Sequence, residues 1–267
     1  MSKSKSNNMN TVIVALALCL VCSVLVSAVA VGLKPQQLAN AELDINKNIM
    51  VAAGEFDPAT ETNEDVAKKF EDFTVKLVDL KEGTFAEEAK LSELGINAAS
   101  YKMSAAGKDA NLSDDLGDAD KAGIGRLPKY AKVYVKKDAE GKTESIVLPI
   151  YGAGLWGKIY GFLTLEGDIN TVKGISFYEH KETPGLGALI ESDKFRDQFP
   201  GIQAYDESGN VATAVTKAGL AKENQVDGIS GATLTSKGVN NFVQFWLSDA
   251  GYKKFLDNLR AGEAGEV

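Results

Sequence analysis

The chain has 267 residues, 44% of them hydrophobic and 25% charged, an ordinary globular balance with room for one large packed domain or two small ones. A formal net charge of -8 excludes broad attraction to nucleic acid, which depends on Lys and Arg neutralising phosphates, and no basic stripe interrupts the acidic balance. One histidine, His180, and two cysteines, Cys19 and Cys22, both inside an apolar stretch, are too few for a structural zinc site or a disulfide framework in the remaining chain.

From Val12 to Leu33 no residue is charged, and a helix of that length spans roughly 33 Å, enough for the core of a bilayer. The stretch reads as one transmembrane helix after a short cytoplasmic tail at 1–11. A cleaved signal peptide is the competing reading, because Lys3 and Lys5 form a basic head and Ser27-Ala28-Val29-Ala30 resembles a cleavage site. The apolar run is longer than the roughly 7–15 residues of a signal core, which favours an uncleaved anchor. Lys3 and Lys5 before the span, set against Lys34, Glu42 and Asp44 after it, place the N-terminus in the cytoplasm and the chain from about residue 34 outside it, in a bacterium the periplasm. Cys19 and Cys22, three apart on one helix face, read as small residues packing on a neighbouring helix in preference to a redox or metal pair. No ionisable side chain in the span offers a ligand to sodium.

Lys34 to Lys47 extends the helix, and Val66, Phe70 and Phe73 share a helical face in 63–73. The whole of 34–130 is predicted to be helical or irregular, with Ala86 to Lys121 an Ala-, Asp-, Gly- and Ser-rich surface region. From 131 to 267 a folded domain follows. Lys132 to Lys136 alternates, Asp138-Ala139-Glu140-Gly141 turns, and Ser145 to Ile150 is apolar, which predicts a β-hairpin. Ile159 to Glu166 and Val172 to Tyr178 predict a second. Helices follow at Ser192 to Phe199 and from the Ser230 region to Leu259, with little loop between Leu247 and Tyr252. Hairpins without regular βαβ alternation point to an α+β class, a mixed antiparallel sheet with helices.

His180, near a strand end, reads as a surface or hydrogen-bonded structural histidine and not as part of a Ser-His-Asp set. Gly152-Ala153-Gly154-Leu155-Trp156-Gly157 matches the G-x-G-x-x-G spacing of dinucleotide folds, with Glu179 beyond it. The segment that follows is a strand where that fold needs a helix, and Trp156 would crowd a phosphate turn, so the dinucleotide reading fails.

Asp227-Gly228-Ile229-Ser230-Gly231-Ala232-Thr233-Leu234-Thr235-Ser236 precedes Val239, Phe242, Val243 and Trp246, which share a helix face, so this run opens a helix. Such an N-terminus offers unpaired N–H groups and the positive end of the macrodipole to a phosphate. Gly231 and Ala232 leave room for its approach, a hydroxyl at Thr233 can hold it as an ester, and Lys237 lies one turn later. The alternative is plain capping of the helix by Ser230 or Thr233.

The same run matches the pattern D-x-x-S/T-G-A-T and resembles the covalent FMN-binding domains, in which a flavin transferase attaches FMN to the final threonine, here Thr233. With the segments around Gly154-Leu155-Trp156 and Glu182-Thr183-Pro184-Gly185-Leu186-Gly187, nearly the whole chain resembles the NqrC family of sodium-translocating NADH:quinone reductases. The resemblance is weakest over 55–125. It implies an FMN-carrying redox subunit of an NADH:ubiquinone reductase in the bacterial inner membrane, inactive alone. Its FMN would be held on the periplasmic side by a phosphoester to Thr233 and would pass electrons to a neighbouring subunit that carries a second covalent FMN. A separate magnesium-dependent transferase using FAD would attach the group, with Asp227 beginning its recognition sequence.

For the flavin ring, Glu182, Thr183, Gly185, Leu186 and Gly187 supply a tight loop whose backbone N–H groups can reach ring oxygens, with Leu186 on the ring face. The alternative there is an ordinary hairpin exit loop. Leu155 and Trp156 wall the same pocket or else Trp156 is plain core. Ser230, Gly231, Ala232, Leu234, Thr235 and Lys237 complete the expected cofactor contacts. Two rival functions are the corresponding flavin-carrying component of an Rnf-type electron-transport complex, which shares the attachment pattern, and a membrane-anchored assembly or scaffold protein without a cofactor.

Overall fold

The computed structural model describes residues 2–57 and 60–265, with side chains from Met9 onward. Met1, residues 58–59 and 266–267, and the side chains of Lys3 and Lys5 on which the expected orientation rests, lie outside it. The chain divides into two compact units, Met1–Asp44 and Ile45–Val267.

The first unit is helix alone. Helix α1 runs from Ser2 to Ala52, 51 residues with Pro35 inside, and the stretch from Met9 is long and apolar enough to cross a membrane. From Val12 to Leu38 its Val and Leu side chains are exposed. Ser23, a polar group within the run, donates back to the Leu20 carbonyl at 2.9 Å, so that its hydroxyl is satisfied without water. Cys19 and Cys22 are both free thiols.

The second unit begins with the last turns of α1. After α2 (Asn63–Phe70) come β1 (Phe73–Asp79), β2 (Thr84–Phe85), α3 (Glu88–Glu93), α4 (Met103–Ala106), β3 (Ser113–Asp115) and β4 (Arg126–Pro128). The long strands follow as β5 (Tyr130–Lys137), β6 (Thr143–Ala153), β7 (Lys158–Glu166) and β8 (Val172–Glu179). A single-turn helix α5 (Asp193–Arg196), short strands β9 (Ala214–Thr216) and β10 (Gln225–Asp227), and helices α6 (Thr233–Leu247) and α7 (Lys253–Ala261) complete the chain. Six strands form one antiparallel sheet in the order β2-β1-β5-β6-β7-β8.

The sheet is covered on both faces, and β5 to β8 are buried along most of their length. On one face, Phe242 of α6 lies against Gly152, where a Cβ would come within 2.4 Å of the Phe242 Cβ. Trp246 Nε1 donates to the Tyr151 carbonyl at 2.8 Å and Tyr252 Oη to that of Pro149 at 2.7 Å. On the other face, Ser176 Oγ donates to the Asn48 carbonyl at 2.7 Å, so the end of α1 packs on β8. An aromatic cluster of Phe70, Tyr134, Phe162 and Tyr178 fills that side, with ring centroids 5.0 to 6.0 Å apart.

The α+β class and both hairpins are as predicted, but the sheet starts earlier than residue 131. Strand β1, inside the segment expected to be helical or irregular, pairs with β5 from Phe73↔Lys136 to Asp79↔Tyr130. Its last three residues are buried, and Phe73-Thr74-Val75-Lys76-Leu77 alternates apolar and polar residues, a strand signal masked by the helical spacing that Phe73 shares with Val66 and Phe70. Phe73 begins a strand instead of extending the helix of Val66 and Phe70. The 86–121 region also contributes to the core: Tyr101, Met103 and Ala106 are buried, and Tyr101 Oη donates to the Tyr130 carbonyl at 2.8 Å. The helix predicted over Ser192 to Phe199 shrinks to one turn. The dinucleotide-like glycine run is the β6–β7 turn, closed by Gly154 N–H to the Gly157 carbonyl at 2.7 Å.

Candidate functional site

Helix α6 starts without a side-chain cap. Its N-cap is Ala232, φ -125°, and no side chain bonds the first-turn N–H groups. The hydroxyl that organises this entry is Ser236, whose Oγ accepts from Ile229 N–H at 2.9 Å and donates to the Ala232 carbonyl at 3.1 Å. Neither Ser230 nor Thr233 caps the helix, so the capping reading is overturned and both hydroxyls stay exposed. Gly231, φ +82°, takes the left-handed turn that precedes the helix. Gly228 is needed for close approach, since a Cβ there would lie 2.4 Å from the Thr216 carbonyl oxygen.

Thr233 opens onto a cavity of about 380 Å³ that Ser230, Gly231, Lys237, Lys217 and Asn240 also line. One wall is the exposed face of α6, on which Thr233, Lys237 and Asn240 recur at helical spacing. The other is the parallel pair β9–β10, registered Asp227↔Thr216. Asn240 Oδ1 accepts from Val215 N–H at 2.9 Å and ties the walls together. Helix dipole, open N–H groups and two lysines make this cavity suited to an anion.

On the flank of α6 toward the sheet, Glu182 is 5% exposed and its carboxylate accepts three hydrogen bonds. Leu155 and Trp156 N–H donate to Oε1 at 2.9 and 3.0 Å, and Thr235 Oγ1 to Oε2 at 2.5 Å. Glycines permit this closure: a Cβ on Gly154 would stand 2.6 Å from Oε1, and one on Gly187 2.6 Å from Thr235 Oγ1. Gly187 is thus buried packing. Thr235, only 1% exposed, is a buried donor to Glu182. Glu182 acts as a clamp on the β6–β7 turn. His180 Nδ1 accepts from Glu182 N–H at 3.1 Å, a hydrogen-bonded structural role.

Around this clamp Leu155, Trp156, Leu186, Leu189 and Leu234 are exposed. Trp156 is 65% exposed while Trp246 is fully buried, so Trp156 is not core. Leu186 abuts the entry of α6, its Cδ2 3.6 Å from where a Gly231 Cβ would stand. In the 182–187 loop, Thr183 and Gly185 are exposed and Gly185 has φ +74°. The expected row of outward N–H groups is partly used internally, because Leu186 N–H donates to the Thr183 carbonyl at 3.1 Å and Glu182 N–H is taken by His180.

Asp227 does not line the cavity. Its Oδ1 accepts from Leu220 and Ala221 N–H, both at 2.9 Å, so the carboxylate folds the neighbouring turn. Lys217 and Asn240 are site residues that sequence reasoning missed. Asn240 was findable, seven residues after Thr233 on one helix face. Lys217 arrives through two three-residue strands that leave no periodic trace.

The family model of the FMN-binding domain matches residues 154–248, from the β6–β7 turn to just past α6. The NqrC subunit of the Na(+)-translocating NADH-quinone reductase of Pseudomonas aeruginosa is 42% identical over 267 residues, covering 98% of this chain and 99% of that protein. This chain belongs to the same family. The corresponding reductase subunit from Pasteurella multocida is 41% identical over 98% of each chain. The crystal structure of Shewanella oneidensis NqrC superposes with TM-score 0.73 at 30% identity, covering 84% of this chain and 99% of that one. The structure of the same reductase subunit from Parabacteroides distasonis gives TM-score 0.63 at 27% identity over 84% and 96%. Membership in the NqrC family carries the sequence resemblance to full length and places the chain among the subunits of a redox complex, in preference to an Rnf-type component or a scaffold.

Proposed function

We propose that this NqrC-family chain carries one FMN, joined through its phosphate to Thr233 Oγ1, and relays electrons to a second covalent-flavin subunit of the same NADH:ubiquinone reductase. The observation that carries the reading is the contrast between two hydroxyls of one helical turn. Thr233 is exposed at an uncapped helix N-terminus on a cationic cavity, whereas Thr235 is buried and committed to Glu182.

The residues present fit the group. First-turn N–H groups of α6, with Ser230, Gly231 and Lys237, would hold the phosphate. Trp156, Leu155, Leu186 and Leu234 offer exposed apolar surface of the kind a flavin ring needs, and Thr183 and Gly185 can meet its polar edge. When bound, FMN supplies the electron-accepting ring, and the chain supplies binding, orientation and exclusion of water. Glu182 sets where Trp156 stands by holding its backbone.

Residues 12–33 would span the inner membrane once, with the 1–11 tail cytoplasmic and the rest periplasmic, FMN domain included, and a separate FMN transferase would act there during maturation. The folded domain would begin with the last turns of α1, from about Ile45, well before 131. The full chain, produced with a magnesium-dependent flavin transferase, is expected to fluoresce under ultraviolet light in a denaturing gel and to show an FMN phosphoryl mass on the Thr233 peptide. A colourless, unmodified chain from such a host overturns the reading.

A further inference from the structure

We propose that Asp227 is a positioning residue acting through Lys217: by folding the 217–221 turn it holds a second lysine over the cavity at Thr233, where Lys217 and Lys237 together take the phosphate charge. This rests on the attachment of FMN at Thr233.

Asp227 reaches the cavity only indirectly. Its backbone is gripped on both sides by one side chain, Asp227 N–H donating to Gln198 Oε1 at 2.9 Å and Gln198 Nε2 donating to the Asp227 carbonyl at 3.3 Å. Strand β10 therefore holds the carboxylate in place, directly across from Thr216 in the β9–β10 register. The carboxylate then accepts the N–H groups of Leu220 and Ala221. Leu220 N–H also reaches the Lys217 carbonyl at 3.1 Å, and Gly219, φ +79°, supplies the bend. Removing the Asp227 acceptor leaves Ala221 N–H without its partner and Leu220 N–H with only the Lys217 carbonyl, and frees the segment that carries Lys217.

Lys217 and Lys237 line the same cavity from opposite walls. Among the described residues neither side chain has an ion-pair or hydrogen-bond partner. Two lysines without partners on one cavity suit an anion held between them. Attachment puts such an anion there. The Thr233 Oγ1–P bond forms at the flavin-side phosphorus of FAD, and the P–O bond to the adenylate breaks. AMP leaves with the electron pair, and the hydroxyl proton passes to a base of the transferase. Cations placed beside the phosphorus favour the charge that spreads over its oxygens during transfer. The first residue of the attachment sequence would then matter because it shapes the acceptor, and not only because a transferase reads it.

The experiment follows label uptake by in-gel flavin fluorescence, using the purified, unflavinylated full chain with transferase, FAD and magnesium. Lys217→Ala is expected to slow labelling roughly tenfold, the size of one charge-assisted hydrogen bond, and Lys217→Arg to restore it. Asp227→Ala is expected to slow labelling similarly, Asp227→Asn much less, because it keeps an oxygen for the two N–H groups. The Asp227→Ala/Lys217→Ala double variant should be no slower than Asp227→Ala alone, since the lysine is already misplaced. Multiplying effects, or an Asp227→Asn variant as slow as Asp227→Ala, overturn the proposal in favour of direct recognition of the carboxylate. Lys217→Ala labelling at the unmutated rate also overturns it, and this arm decides the matter even where Asp227→Ala does not fold. An unmutated chain that takes no label brings down the Thr233 reading itself.

Discussion

Thr235 Oγ1 donates to Oε2 of the buried Glu182 across 2.5 Å, which fastens the first turn of α6 to the loop leaving β8. Two residues earlier, Thr233 turns the other way, to the surface and the cavity. One carboxylate thus separates two threonines that look alike in sequence.

Glu182→Ala leaves three donors without their acceptor, two of them the backbone N–H groups of Leu155 and Trp156. Losing the partner of buried polar groups costs about 1–3 kcal/mol. The thermal midpoint of the detergent-solubilised chain should fall by several degrees, and Glu182→Gln, which keeps an acceptor and the volume, should fall less.

Thr233→Ala removes an exposed hydroxyl, so covalent flavin should disappear while the thermal midpoint stays where it was. Thr235→Val removes the donor to Glu182 and should lower stability by about 1–3 kcal/mol yet retain flavin on the Thr233 peptide. Peptide mass mapping checks both; flavin mapped to residue 235 in the Thr233→Ala protein would refute the assignment.

The chain has two tryptophans, Trp156 exposed and Trp246 buried. Acrylamide should quench the Trp156 component of the emission in chain made without transferase, and quench it much less after flavinylation if the ring covers Trp156. Trp156→Phe isolates the component. Equal quenching in both forms would move the ring elsewhere.

Glu55 accepts from Lys136 and Lys173, each at 3.0 Å. Burial pushes its carboxyl up, but the two lysines outweigh that and hold it below the ordinary value of 4.5. A carboxyl with a lowered folded pKa adds stability that is fully present above its unfolded value and is lost as pH falls through the folded one. Thermal midpoints measured from pH 6 downward should decline below about 4.5, and Glu55→Gln should flatten that decline while costing under about 1 kcal/mol at neutral pH.

Much of this was legible from local pattern. The 22-residue uncharged run, Val12 to Leu33, needs no partner to be recognised as long enough for a bilayer, and the β5–β6 and β7–β8 hairpins announce themselves through alternation and turn residues. The start of α6 was visible in Gly231-Ala232-Thr233 followed by a helical apolar face. What stayed hidden were contacts with no periodicity. Met103 and Tyr101 are core, Tyr101 fixed by its hydroxyl on the Tyr130 carbonyl of β5, and nothing in their own segment repeats to announce it.

By itself the sequence determined the membrane-length helix, the α+β class and the threonine-bearing motif, because each follows from spacing along the backbone. Only the tertiary structure decided which threonine is free, that Trp156 is surface while Trp246 is core, and that Asp227 folds a turn rather than facing Thr233. The physical reason is that hydroxyl burial and carboxylate partners depend on groups brought together from far along the chain, 53 positions for Glu182 and Thr235, and no local pattern records that meeting.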